Sequence, residues 1–254
     1  MIPHTNAFAN YRALSQGHLD FVVVVCHAVP ALQADLTSTG HALSSPPDYF
    51  KPDTKVRLSQ FAPRYQDELA RAVLISVFSY FESYVKNALR EIADFQGGAQ
   101  TFLSLAKSGT AKYMKPLAAV LDSSKAKLQT RAKPGREQRY RKHSKLLEAG
   151  GYRFPTELLA HYGAVNLLEK TDEKRGMRAW EIPDVLRDCL CFPITASDRK
   201  TFDSIRTLRN EIAHGNAPAI TLRSSLKASK DLHSLGARID RHIIDHFLVL
   251  QAFV

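Results

Sequence analysis

One stretch restricts the fold of this chain more than any other: PRYQDELARAVLISVFSYFESYVKNALREIADF, residues 63–95. Leu69, Val73, Val77, Phe81, Tyr84, Ala88 and Ile92 recur every three or four residues, so they form a single apolar stripe at helical period. Pro63 stands where a first-turn proline is tolerated, and Gly97-Gly98 supply a stop. A helix of about thirty residues is roughly 45 Å long, and one stripe of that length has to be covered by other helices. Beside it runs a second line, Phe78, Glu82, Val85 and Leu89. Glu82 is thereby an acid among apolar neighbours. It reads either as a solvated acid at the helix boundary or as an acid kept for use.

The other segments agree with a helical bundle. Residues 8–28 predict a first helix through Phe8, Tyr11, Leu14, Leu19, Val22, Val25 and Cys26, although the valine run suits strands as well. The most apolar run, residues 21–32, falls short of the roughly 20 residues that span a bilayer. Asp20 abuts it and only Arg12 precedes it as a basic flank, unlike a signal peptide. It is expected to be a buried helix in a cytoplasmic protein without membrane contact. Residues 38–53, with Gly40, Pro46 and Pro47, read as a loop. Shorter helices are expected at 99–108, 111–122, 156–169 and 181–191. A helix over 198–214 carries Phe202, Ile205, Leu208 and Ile212, with its N-cap among Ala196-Ser197-Asp198 and its stop at Gly215 and Pro218. A last helix, 227–252, carries Leu232, Leu235, Ile239, Ile243, Phe247, Leu250 and Phe253. The expectation is an all-α single domain over 1–254, with core helices at 8–28, 63–95, 181–191, 198–214 and 227–252 and an elaborated middle, 99–175.

Charge is concentrated. The net charge is +10, and residues 125–145 hold nine Lys or Arg against one acid, Glu137. Such density suits contact with phosphates, with Lys133, Arg136, Arg139, Arg141 and Lys142 as the RNA-binding candidates and Tyr140 as a base-stacking one. A solvated basic loop is the competing reading. Cys26, Cys189 and Cys191 are odd in number and match no common zinc spacing, so they read as small buried hydrophobes in a reducing compartment. His242 and His246 sit at i, i+4, but nothing completes a metal site around them. There is no Walker-type loop, G-x-G-x-x-G, H-E-x-x-H or G-x-S-x-G, so no cofactor or metal is expected.

Against this background stands TLRNEIAHGN, residues 207–216. At 100° per residue Asn210 and His214 share a face, while Arg209 is turned about 140° from His214. The types suit phosphodiester chemistry. Arginine offers a planar fork of donors to a phosphate, and histidine gives and takes protons near neutral pH. RNA brings its own nucleophile, the 2′-hydroxyl. One helix supplies a single histidine, and a symmetric dimer would supply the second. The same residues also describe an ordinary helix end whose cation complements the helix dipole.

RNEIAHG, residues 209–215, late in an all-α chain, resembles the signature of the HEPN superfamily. LARAVLISVFSYFESYVKNALREI resembles the long helix of the branch related to RNase L and the MAE-type HEPN nucleases, where a glutamate often sits mid-helix as Glu82 does. The resemblance covers about 60–95 and 180–250. It implies a metal-independent endoribonuclease, often a toxin or antiphage effector, with a composite site across a homodimer. Arg209 and His214 would be catalytic, Asn210 would position the phosphate or His214, and Glu82 would be a supporting acid. An antitoxin or sensor protein is the further partner implied. HEPN toxins silenced by nucleotidyltransferase antitoxins often carry a tyrosine two residues after the histidine. Asn216 stands there, so that mode of neutralisation is not implied. A non-catalytic RNA-binding or scaffolding HEPN module is the alternative, and a helical protein-interaction module is a third reading.

Overall fold

The long stripe folds as its period requires. In the computed structural model, which describes residues 2–38, 54–108, 119–172, 176–216 and 218–251, a 3-10 turn at Ala62–Arg64 leads into a helix over Tyr65–Phe95. Leu69, Val73, Val77, Phe81, Tyr84, Ala88 and Ile92 are all buried along it. In chain order the helices are α1 (Asn6–Thr37), α2 (Thr54–Phe61), α3 (Tyr65–Phe95), α4 (Ala99–Ser108), α5 (Ala119–Leu128), α6 (Glu137–Ala149), α7 (Pro155–Thr171), α8 (Ile182–Asp188), α9 (Ala196–Ala213) and α10 (Leu222–His246). Among the described residues there is no strand, so the all-α expectation holds. The 39–53 part of the expected loop and residues 111–118 of the expected 111–122 helix lie outside the described residues.

The chain packs as two compact units. The first comprises residues 1–11, 81–203 and 233–254; the second comprises 12–80 and 204–232. Helices α1, α3, α9 and α10 each give a segment to both.

The first unit is organised around aromatic rings. Tyr11 stacks on Tyr84 at 5.4 Å, and Phe8 meets Tyr84 edge-on at 5.5 Å. Gly236 makes this possible, because a Cβ there would lie 3.3 Å from Phe8 and 3.4 Å from Tyr11. Its carbonyl accepts the Tyr84 hydroxyl at 3.1 Å, so the buried phenol is satisfied. The start of α1 is fixed here too. The Thr5 hydroxyl accepts the Phe8 N–H and donates to buried Asp240, while the Glu91 carboxylate accepts the N–H groups of Asn6 and Ala7.

Residues 119–154 complete this unit. Leu128, Tyr140, Leu147, Tyr152 and Phe154 form a cluster with Val249 and Leu250. The last carbonyls of α10 are taken up by side chains. Gln129 bonds Ile244 O, the Tyr152 hydroxyl bonds Asp245 O and His246 O, and Gln96 bonds Phe247 O. The basic stretch is therefore mostly helix rather than loop, shared between the end of α5 and the first part of α6. Tyr140 is 2% exposed and its hydroxyl accepts the Lys133 N–H, so it cannot stack on a base. That expectation is corrected: tyrosine anchors the basic helix by its apolar ring.

The first-unit histidines carry a pH dependence. The His242 and His246 rings face each other at 4.7 Å, and His242 bonds Leu190 O. Burial pushes the His246 imidazole down to about 4, aided by His242 and Lys125 and opposed by Asp245. Burial lowers His242 as well. A histidine depressed in the folded state stays neutral while its unfolded counterpart protonates below an ordinary value of about 6.5. Stability is thus full above about pH 6.5 and is lost as pH falls toward 4, by up to about 3 kcal/mol for His246. Urea unfolding across that window should show this loss, and His246→Gln should flatten it.

In the second unit, α1 overturns the sequence expectation. It runs beyond 28 to Thr37, and it is not buried. Among residues 21–32 only Val22 is buried, whereas Phe21, Val23 and Val24 are 56%, 56% and 61% exposed. Burial depends on how many neighbours surround a helix. Here one narrow line, Ser15 and Val22, faces protein. By length and composition alone α1 also qualifies as a membrane-crossing helix; 6% of its most apolar 18-residue stretch is buried. Opposite, Leu69, Ala70, Val73, Leu74, Val77 and Phe78 of α3 are buried in this unit together with Ile205, Ala228 and Leu232.

Other boundaries shift for local reasons. α9 is capped by Thr195 rather than by a residue of 196–198. Its hydroxyl accepts the Asp198 N–H at 3.1 Å, and the Asp198 carboxylate accepts the Thr195 N–H at 3.0 Å, a reciprocal cap. α10 begins five residues early, at Leu222, where the Thr221 hydroxyl accepts the Ser224 N–H. The 181–191 helix contracts to α8. Cys191 follows it at φ +50°, and of the three free thiols only Cys189 is buried.

Candidate active site

The motif closes α9. The Gly215 N–H bonds Ile212 O and the Asn216 N–H bonds Glu211 O, both at 3.0 Å, with Gly215 at φ +83°. This is the paired bonding of a Schellman stop, which needs a left-handed residue, and glycine adopts it without strain. It leaves His214 as the last half-helical residue, with its N–H on Asn210 O at 3.0 Å. Its side chain is exposed. A helix that ran on would give that surface to the next turn.

Arg209 is held from two sides. Its guanidinium lies over the buried ring of Phe78, 5.6 Å from the centroid, and its Nη1 donates to Asn210 Oδ1 at 3.1 Å. The residue is half-buried, and among the described residues its Nε has no hydrogen-bond partner and no carboxylate lies within ion-pair distance. A charged fork fixed in place without a counter-ion is prepared for an anion. Asn210 therefore acts on Arg209 through its side chain; its link to His214 is through the backbone.

The remaining candidates fall in the first unit. Glu82 is ion-paired with Lys86 at 3.1 Å, with its side chain 19% exposed. Lys133, Arg136, Arg139, Arg141 and Lys142 are all exposed, as are Arg131 and Lys145. Lys125 is committed elsewhere, to Asp245 at 3.1 Å. Glu137 is occupied locally: it accepts the Gly135 N–H, and backbone hydrogen bonds hold its carboxyl below the usual range. Among the described residues no group of His, Cys, Asp and Glu could hold a metal ion.

The sequence reading passed over Phe78 as a site residue. Its position on the same line as Glu82 was visible, but its role as a platform for Arg209 depends on the packing of α9 on α3.

The structure is that of an all-helical domain with an arginine and a histidine near the end of one helix, α9. The RiboL-PSP-HEPN family model matches residues 52–245, more than two thirds of the chain, and the protein belongs to that family of HEPN domains. The matched span includes 99–175, where the sequence alone gave no resemblance. No curated protein and no solved structure matches the chain.

Proposed function

We propose that the protein is an endoribonuclease that cleaves RNA by attack of the 2′-hydroxyl on the adjacent phosphate, without a metal. The observation that carries this reading is the guanidinium of Arg209, clamped by Phe78 and Asn210 with no carboxylate partner among the described residues, five residues from an exposed His214.

Arg209 would bind the scissile phosphate and stabilise the negative charge that grows on its oxygens. One histidine would take the 2′-hydroxyl proton while a second gives a proton to the departing 5′-oxygen. The products are a 2′,3′-cyclic phosphate and a 5′-hydroxyl, and atoms and protons balance with no co-reactant. The second histidine would be His214 of another copy, so the working form is a homodimer with a shared site. The exposed cations of 131–145 would gather RNA. Glu82, paired with Lys86, is left a supporting role through charge rather than contact. The setting we propose is cytoplasmic, as a toxin or antiphage effector held in check by an antitoxin or sensor protein.

The test is incubation of purified protein with single-stranded RNA in excess EDTA. Cleavage with cyclic-phosphate ends is expected, and cleavage that requires added metal would overturn the mechanism. The exposed basic face favours one second reading, an RNA-binding or scaffolding HEPN module without turnover. It predicts salt-sensitive RNA binding with no cleavage in any buffer.

A further inference from the structure

Resting on the reading of Arg209 as a phosphate ligand, we propose that Arg71 is a second phosphate-binding residue of the same site, one that grips a neighbouring, uncleaved phosphate of the RNA strand.

Arg71 stands on α3 seven residues before Phe78. Seven residues are nearly two full turns, so the two lie within about 20° of one face and roughly 10 Å apart along the helix. Phe78 is the ring that carries the Arg209 guanidinium. The chain leaving Arg209 travels along α3 toward Arg71, because the Ser225 hydroxyl bonds Ala70 O at 2.8 Å. His214 and its turn fall between Arg209 and Ser225 along the chain. Arg71 and Arg209 thus both address the Phe78 face of α3 in the second unit.

The bonding of Arg71 resembles that of Arg209. Its side chain is about three quarters buried, with 24% exposure, yet its Nε lies buried without a hydrogen-bond partner among the described residues. Leaving a buried N–H unmade costs about 1–3 kcal/mol, and such donors persist where a ligand completes them. Its one carboxylate, Glu68, reaches only Nη1, at 2.6 Å, from a position 62% exposed to water. An exposed pair of this kind is worth about 0–1 kcal/mol. It can hold the guanidinium in place and be outcompeted by a phosphate, which accepts from two donors of the fork at once. Arg206, three residues before Arg209 on α9, extends the positive charge of the same side.

The substrate class that follows is a strand longer than a dinucleotide. The scissile phosphate sits on Arg209, and the strand continues along α3.

The experiment measures binding of single-stranded RNA across a salt titration in a His214→Ala background, which prevents turnover. For a single strand, each lost phosphate contact lowers the slope of log affinity against log salt by about 0.7. Arg71→Gln should lower it by that amount, as should Arg209→Gln, and Arg71→Lys should restore the slope. Glu68→Gln, at an exposed position, should tighten RNA binding by releasing the fork. If Arg209→Gln lowers the slope while Arg71→Gln and Glu68→Gln change nothing, this inference is overturned and the Arg209 reading stands. If neither arginine affects the slope, both fail.

Discussion

Replacing His214 with alanine should abolish RNA cleavage and leave the fold untouched. The side chain is exposed at the end of α9, and the stop that shapes the turn is made by the backbone of Glu211, Ile212, Gly215 and Asn216. Nothing in that bonding needs an imidazole. Proton transfer by a positioned side chain contributes roughly 10²–10⁴-fold to rate, so kcat should fall by at least that much. Thermal unfolding should not move, because a surface substitution of this kind changes stability by about 0.5 kcal/mol or less. RNA affinity should also persist, since the exposed cations and Arg209 remain. Arg209→Lys is the companion variant. It keeps the charge but loses the planar fork, the face-on contact with Phe78 and the geometry of the Asn210 bond, so it should lose rate although the change is nominally conservative. Robust cleavage by the His214→Ala protein would sink the assignment of His214.

The parts of this structure that the sequence made legible are those set by local rules. α3 could be read because its stripe repeats over roughly six turns, from Leu69 to Ile92, and no alternative period fits. The end of α9 could be read because Gly215 and Pro218 act within a few residues of where they stand. The two largest misreadings have a common cause, since each depends on which segments meet in space. The valine run of α1 was expected to be buried, but hydrophobicity shows only that burial would be favourable, not that a neighbour is there to provide it. Tyr140 looked like a stacking residue within a basic loop. Its burial follows from Leu128, Tyr152 and Phe154 closing on it, residues 12 to 14 away along the chain. The Thr195 cap was missed by one to three residues, an error typical of helix boundaries. Of the candidate site, Arg209, Asn210 and His214 were visible together because they share one helix. The Phe78 platform and Arg71 were not, because α3 and α9 are more than a hundred residues apart in the chain. Arg71 also stands at i, i+3 from Glu68, a spacing common to solvated helix cations.

A mixed dimer of one wild-type and one His214→Ala subunit should be as inactive as the double mutant, not half as active as wild type. The reason is the proton inventory. Attack by the 2′-hydroxyl needs a base, and departure of the 5′-oxygen needs an acid. Within one chain the motif offers one imidazole. His242 and His246 belong to the first unit, with burial holding both toward the neutral form and His242 occupied by Leu190 O. His18, in the second unit, is likewise depressed by burial and packs edge-on against Tyr80 at 6.1 Å. None is placed beside Arg209 by any contact. On the proposed reading the second proton carrier would come from the partner's copy of the same turn, and losing either histidine would empty one of the two roles. Two differently tagged chains, purified in tandem so that only mixed pairs remain, would provide the sample. Near-zero cleavage confirms a shared site, whereas half of the wild-type rate means that each chain works alone. The shared site also predicts that specific activity falls on dilution, as pairs dissociate, with a midpoint equal to the dimer dissociation constant measured by sedimentation.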